Sequence, residues 1–302
     1  MTELSATPAA ILPDDAPPDG TPTERLKRPS IWRKLRRDKA AMLAAGFLVV
    51  VVALGVLAPW IAPYDPYDNN LRMMLKPPSE AHWLGNDGQG RDMVSRLLFG
   101  IRTTLSMGLL AVIGGGSIGA VLGLLAAYFR SLEGPIMRVV DVLLSFPSIL
   151  FGLAIAAVLG AGTTSITIAL TVAAVPSIAR ITRGAALVVM QQEFISACRA
   201  IGMSDARIMA RHLLPNCAST IFVYLTLQLG QTILLGAALS FIGLGAQPPT
   251  AELGTMAADG RNFLFFAPHV STIPSVAIFM IVLAFNVLGD ALRDVLDPRL
   301  RQ

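Results

Sequence analysis

Four lysines, three histidines and two cysteines are the residues from which this chain could build a phosphate, metal or thiol site. A Walker-type phosphate loop needs glycines ahead of a lysine that is followed by serine or threonine, so that backbone amides and the ammonium hold the phosphates. Lys27 precedes arginine, Lys34 leucine, Lys39 alanine and Lys76 proline, so none serves. His82, His212 and His269 are scattered over three segments, which argues against a histidine metal site. Asn86, Asp87, Gly88 and Asp92 superficially suggest a calcium loop but lack its oxygen side chains at the alternate early positions and its closing glutamate. No Ser/His/Asp set or paired carboxylate is evident, so neither a catalytic residue nor a metal ligand is expected. Proton-driven carriers bury ionisable groups near the bilayer midplane, and none of the apolar runs described below holds one. Asp141 and Asp290 fall near the ends of such runs, where Asp141 could pair with Arg138 one helical turn away. Energy for any work must then come from a partner.

What remains is a docking device and a sparse polar lining. Glu193 to Asn216 reads EFISACRAIGMSDARIMARHLLPN, a polar, helix-forming loop between long apolar segments. Its pattern predicts two short amphipathic helices joined at Gly202 and Met203, with Ser204 or Asp205 capping the second and Pro215 and Asn216 ending it. Ser145, Gln228, Gln231, Thr232 and Asn286 are the polar side chains available to line a pathway, although interhelical hydrogen bonding would explain them equally well. Cys198 and Cys217 are expected to be free thiols.

The elements that must position these residues are set by composition. With 54% hydrophobic and 15% charged residues and a mean hydropathy of +0.62, 302 residues are too apolar for an ordinary soluble domain. An all-α integral membrane protein is expected, because a ~30 Å hydrocarbon core needs roughly 20 apolar residues per helix. Six spans follow, over 40–62, 104–128, 139–159, 163–178, 218–238 and 273–292. About 39 residues precede the first, and its apolar core exceeds that of a cleaved signal, so it stays as an anchor. Residues 1–23 carry no periodicity and are expected to be disordered. Arg25, Lys27, Arg28, Arg33, Lys34, Arg36, Arg37 and Lys39 form a basic strip that orients the first helix and places the N-terminus in the cytoplasm. On that topology only Arg72, Lys76, Arg91, Arg96, Arg102 and Arg261 of the 24 lysines and arginines lie outside, and the docking loop, 179–217, lies inside. The outer segment, 63–103, is expected to include an amphipathic surface helix over 91–100, with Met93, Val94, Leu97 and Leu98 toward lipid. Glycines 115, 119 and 123, and Gly152, Ala156 and Gly160, form small-residue stripes that suit close helix packing, within the chain or against a partner. Pro147 and Pro176 are expected to bend the third and fourth spans.

The docking loop resembles the EAA loop of membrane subunits of binding-protein-dependent ABC importers. Ala197, Cys198, Gly202, Leu214 and Pro215 fall in register with it, while Ser196 stands in the place of the usual glutamate and His212 in that of isoleucine. His82 to Asp87 with Gly90 to Asp92, Leu239 to Gly245 with Gln247 to Pro249, and Phe285 to Leu300 resemble the dipeptide, oligopeptide and nickel group, in particular its second permease. The resemblance implies a type I ABC importer permease fold, with a five-helix core over 104–297 and a cytoplasmic tail over 298–302. It implies three kinds of partner beside the bilayer: a second homologous permease, two ATP-binding subunits, and a periplasmic or lipid-anchored solute-binding protein. ATP and Mg would be held by the partner subunits, no cofactor by this chain, and no nucleic acid is involved. Glu193, Phe194, Ser196, Ala197, Cys198, Arg199, Gly202, Leu214 and Pro215 would couple to the ATPase, with Phe194, Ile195 and Ile201 packing and Arg199 at the rim. Dipeptides, oligopeptides, nickel chelates, glutathione-like compounds and glycosides are all open as solutes. The alternatives are an ATP-independent carrier or channel, which leaves the docking loop unexplained, and a non-transporting sensor or scaffold, which would bind partners without solute uptake.

Overall fold

The computed structural model describes residues 38–296. The basic strip before Lys39, the segment 1–23 and the tail 298–302 lie outside the described residues. Every regular element is helical: α1 (Lys39–Ile61), α2 (Met93–Tyr128), α3 (Arg130–Ser145), α4 (Ser148–Leu159), α5 (Thr163–Met190), α6 (Glu193–Ala200), α7 (Asp205–Ile208), α8 (Leu214–Phe241), α9 (Leu253–Gly260) and α10 (His269–Leu296). Five continuous helices are long and apolar enough to cross a membrane, and the bent pair α3–α4 passes the same length and composition test when its two arms are taken together, as a broken span or a re-entrant loop.

α1 starts where Asp38 accepts the Ala41 amide at 3.1 Å and is apolar on every side. Ala41, Ala44, Leu48, Val51, Gly55 and Ala58 form its buried stripe against α2 and α10. Leu43, Val49, Val50, Val56 and Trp60 are exposed on the other side, as befits a helix whose surroundings are lipid.

α2 departs from expectation. Asp92 caps it, accepting the Ser95 amide at 2.8 Å, and the helix then runs 36 residues without a break, about 54 Å at 1.5 Å per residue. No separate surface helix exists over 91–100. Met93 and Leu98 are buried rather than turned to lipid, since Ala251, Met256, Ala267 and Val270 give Met93 an apolar partner. No proline interrupts the helix before Tyr128, so nothing ends it at Gly100.

α2 and α5 share the most extensive helix contact in the chain. A Cβ on Gly115, Gly119 or Gly123 would sit 2.7, 2.7 and 2.5 Å from the carbonyl oxygens of Thr171, Val175 and Ala179. The glycine stripe therefore packs inside one subunit, backbone against backbone. Gly152 packs on Leu239 of α8, whereas Gly160 faces open space.

The bend expected at Pro147 within 139–159 is present, as a full break between two helices. α3 and α4 meet at 93° around Phe146 and Pro147, because proline cannot donate and forces the preceding residue into extended backbone. Pro176, by contrast, sits inside the unbroken α5, which extends to Met190 rather than stopping near Ile178. Arg180 and Arg183 can continue that helix because Asp141 and Glu133 of α3 pair with them. Asp141 thus pairs with Arg180 and not with Arg138.

α9 lies between α2, α8 and α10, and sequence reading placed no element there. Glu252, 1% exposed, caps it: Oε1 accepts from Gly254 N at 2.8 Å and from Thr104 Oγ1 at 2.9 Å, and Oε2 from Thr255 N at 2.9 Å. Glu252→Ala strands two amide donors and a buried hydroxyl. A loss of about 3 kcal/mol is expected, read as a lower thermal midpoint of the detergent-solubilised chain. An unchanged midpoint would show that the cap carries no stability.

Candidate functional site

The segment expected to dock, 193–216, sits at the bundle end where α2 and α5 finish and α8 begins. Gln192 opens α6, whose faces separate by helical spacing: Ile195 and Cys198 are buried, and Glu193, Phe194, Ser196, Ala197 and Arg199 are exposed. Ile195 and Cys198 pack with Ile208, Tyr128 and Met203 of the same chain. Ile195 therefore cannot pack on a partner as the resemblance implied, and Cys198 faces inward. Phe194 (40% exposed) and Ile201 (76%) remain on the free face.

α6 ends in a Schellman motif. Gly202 has φ +74°, its amide donates to Arg199 O at 3.0 Å, and the Met203 amide donates to Cys198 O at 3.1 Å. Ser204 occupies the N-cap position of α7, but its side chain makes no capping hydrogen bond. Asp205 instead accepts from Tyr128 Oη at 2.6 Å, and the Arg199 guanidinium lies 5.2 Å from the centre of the Tyr128 ring. Tyr128 thereby ties both α6 and α7 to the end of α2. It was not among the residues singled out from sequence, since it is 77 positions away from Asp205.

Pro215 and Asn216 do not end the second helix. Met209–Leu213 forms a single π turn in which the Leu214 amide donates to Met209 O, five residues back. This wider turn tolerates a proline at the start of α8, and the helical path continues from Asp205 to Phe241. Leu214 and Pro215 are exposed, and Asn216 Nδ2 donates to His212 O at 2.6 Å. Cys198 and Cys217 are free thiols in different clusters.

Part of the expected polar lining converges. Gln228, Gln231 and Thr232 line a groove of about 470 Å³ between α5 and α8, beside the start of α4, together with Ser148, Ser177 and Tyr224. Ser145 and Asn286 do not belong to it. Ser145 donates to Val142 O at 2.7 Å on α3, and Asn286 lies against Gly230 at the contact of α8 with α10. Tyr224, Gln228 and Gln231 fall on one face of α8 at helical spacing, a signal that could have found Tyr224. Among the described residues no cluster of three or more His, Cys, Asp or Glu could hold a metal.

A continuous helical path from α7 joins the exposed α6 segment to the polar groove, and similarity to known proteins decides the family. Residues 119–302, more than half of the chain, match the family of binding-protein-dependent transport system inner membrane components. The chain belongs to this family. Residues 30–78 of the permease also match the N-terminal TM domain of oligopeptide transport permease C. The permease is 46% identical over 276 residues to the glutathione transport system permease protein GsiD of Escherichia coli, across 89% of this chain and 90% of the relative. The protein of that name from Shigella boydii matches with the same identity and coverage. In fold it is similar to a chain of the inward-facing MetNI methionine ABC transporter (TM-score 0.57, 23% identity, 68% of this chain and 98% of that one). It is likewise similar to a chain of an amino acid ABC transporter crystallised with histidines (TM-score 0.52, 20% identity, 67% and 95%). The fold is that of ABC importer permeases, and the family comprises transport subunits, with ATP hydrolysis in separate subunits.

Proposed function

We propose that this permease forms half of the channel of an ATP-driven importer of a peptide-like solute, in a bacterial inner membrane, with both termini cytoplasmic. The observation that carries the proposal is the continuity of the docking segment with the groove. α6 is locked to α7 by the Schellman turn at Gly202, and α7 continues through the π turn into α8, which carries Tyr224, Gln228 and Gln231. A push on the exposed α6 face at Phe194 and Ile201 is delivered along that helix to the groove wall, and through Tyr128 to α2. The pushing subunits would be two ATPases that bind ATP and Mg; this chain itself would bind no cofactor. A second homologous permease would complete the channel, and a periplasmic or lipid-anchored binding protein would deliver the solute. The names of the relatives, which mention glutathione and oligopeptides, support a peptide-like cargo. The excess of Lys and Arg at the docking end supports its cytoplasmic placement.

Affinity purification of the tagged chain from its native membrane, followed by reconstitution with whatever accompanies it, tests this. Co-recovery of a second permease and ATPases, and ATP-dependent peptide uptake by the reconstituted assembly, are expected. A lone chain that transports without nucleotide would overturn the proposal. Tyr128→Phe keeps the ring under Arg199 and removes only the hydrogen bond to Asp205. Since that bond is exposed, worth about 1 kcal/mol at most, a two- to fivefold drop in solute imported per ATP hydrolysed is expected, with normal protein levels. A wild-type ratio would remove Tyr128 from the coupling path.

A further inference from the structure

At the end of the bundle opposite the docking loop, two cavities of about 320 and 290 Å³ share Arg91, Arg96, Pro248, Asp259 and Asn262 as walls. Arg91 and Arg96 are 5% and 3% exposed, and both are aimed at a single carboxylate: their Nε atoms lie 2.7 and 3.2 Å from Asp87 Oδ2. The other Asp87 oxygen is occupied by the amides of Gln89 and Arg91, at 2.8 and 3.0 Å. Arg96 Nη1 donates to Pro66 O at 3.1 Å, while neither terminal nitrogen of Arg91 has a hydrogen-bond acceptor among the described residues. Asp259, at the exposed mouth, makes no ion pair with either guanidinium among the described residues. Ser240, a third wall group in the larger cavity, is buried with an unpartnered hydroxyl.

Two largely buried guanidiniums that share one carboxylate leave positive charge and free N–H donors facing a cavity, where low local polarity strengthens attraction for an anion. The planar fork of arginine matches a carboxylate, and volumes near 300 Å³ reach the lower end of small-molecule sites, ~300–1,000 Å³. Partial burial raises the Asp259 carboxyl above its usual range, while Arg91 and Arg96 pull it the other way, so its charge competes with an incoming anion at the mouth.

We propose that these joined cavities bind an anionic oxygen group, and that the occupant is the carboxylate of the transported solute, received by Arg91 and Arg96. This rests on the importer reading above, which places this end outside and gives the chain a peptide-like cargo.

The test is a saturation-transfer NMR titration of the full-length chain in detergent micelles with N-acetyl-L-alanine and with its uncharged amide. The acid is expected to bind at least about tenfold more tightly than the amide. Arg91→Gln should weaken the acid to the level of the amide, and Asp259→Asn should tighten it about threefold by removing the competing charge. If Arg91→Gln does not fold, the acid and amide comparison and Asp259→Asn still decide. Equal binding of acid and amide, or no response to Asp259→Asn, overturns the site. Preference for inorganic phosphate or glycerol phosphate over the carboxylate would assign the cavities to lipid headgroups and overturn the solute reading. The titration needs no ATPase, so its failure beside intact ATP-driven uptake removes this site alone. Binding without ATP-driven uptake leaves the anion site standing but overturns the importer reading and, with it, the transported solute as occupant.

Discussion

Gly119→Leu is expected to abolish the folded permease. The first added carbon would stand 2.7 Å from Val175 O and 2.9 Å from Ile178 Cβ, both on a helix whose neighbouring turns are pinned by the same contact at Gly115 and Gly123. Relief requires α2 and α5 to separate along the largest interface in the chain, not the rotation of one side chain. Overpacking in a compliant core costs ~1–3 kcal/mol, and a rigid backbone seam puts this change at or above the top of that range. The measurement is the amount of monodisperse protein extracted from membranes, beside Gly46→Leu as a control, since nothing lies within 4 Å of a Cβ at Gly46. Near-complete loss for Gly119→Leu with normal recovery of Gly46→Leu is expected; equal recovery of the two would show that the seam is not required.

Gly202→Val should have the second largest effect, and of a different kind. A Cβ at Gly202 meets nothing within 4 Å, so no clash arises. The strain is in the backbone, because φ +74° is a left-handed conformation that costs an ordinary L-residue about 1–2 kcal/mol and a β-branched one more. The turn would open, and α6 would lose its fixed angle to α7. Uptake by the reconstituted importer is expected to fall at least about tenfold while the chain inserts normally, whereas Gly202→Asn, which tolerates this conformation, should retain most of it. Wild-type uptake by Gly202→Val would sink the role given to the turn.

Much of this was legible because the signals are local. Glycine after an amphipathic octet marks a helix stop, and the observed hydrogen bonds from Gly202 and Met203 complete the motif that spacing suggested. Long apolar runs mark spans by length alone, and a glycine at every fourth position marks a close-packed face. The readings that failed share a cause. Pro215 looked like a terminator because a proline normally clashes one turn back; the π turn at Met209–Leu213 removes that conflict. Arg180 and Arg183 looked like the end of a span because their partners, Asp141 and Glu133, lie on another helix. Ile195 looked available to a partner because Ile208 and Tyr128, which cover it, are distant in sequence or across a turn.

By itself, then, the amino-acid sequence determined the membrane class, the family and the turn at Gly202, since these follow from composition, from motifs and from hydrogen bonds closed within a few residues. The tertiary structure alone decided which face of each helix is covered, the buried Glu252 cap, the tie from Tyr128 to Asp205 and the pairing of Arg91 and Arg96 on Asp87. Those features depend on groups brought together from remote segments. In a chain that is apolar on nearly every face, the periodicity that would reveal a buried side is absent, so only the packing itself can select it.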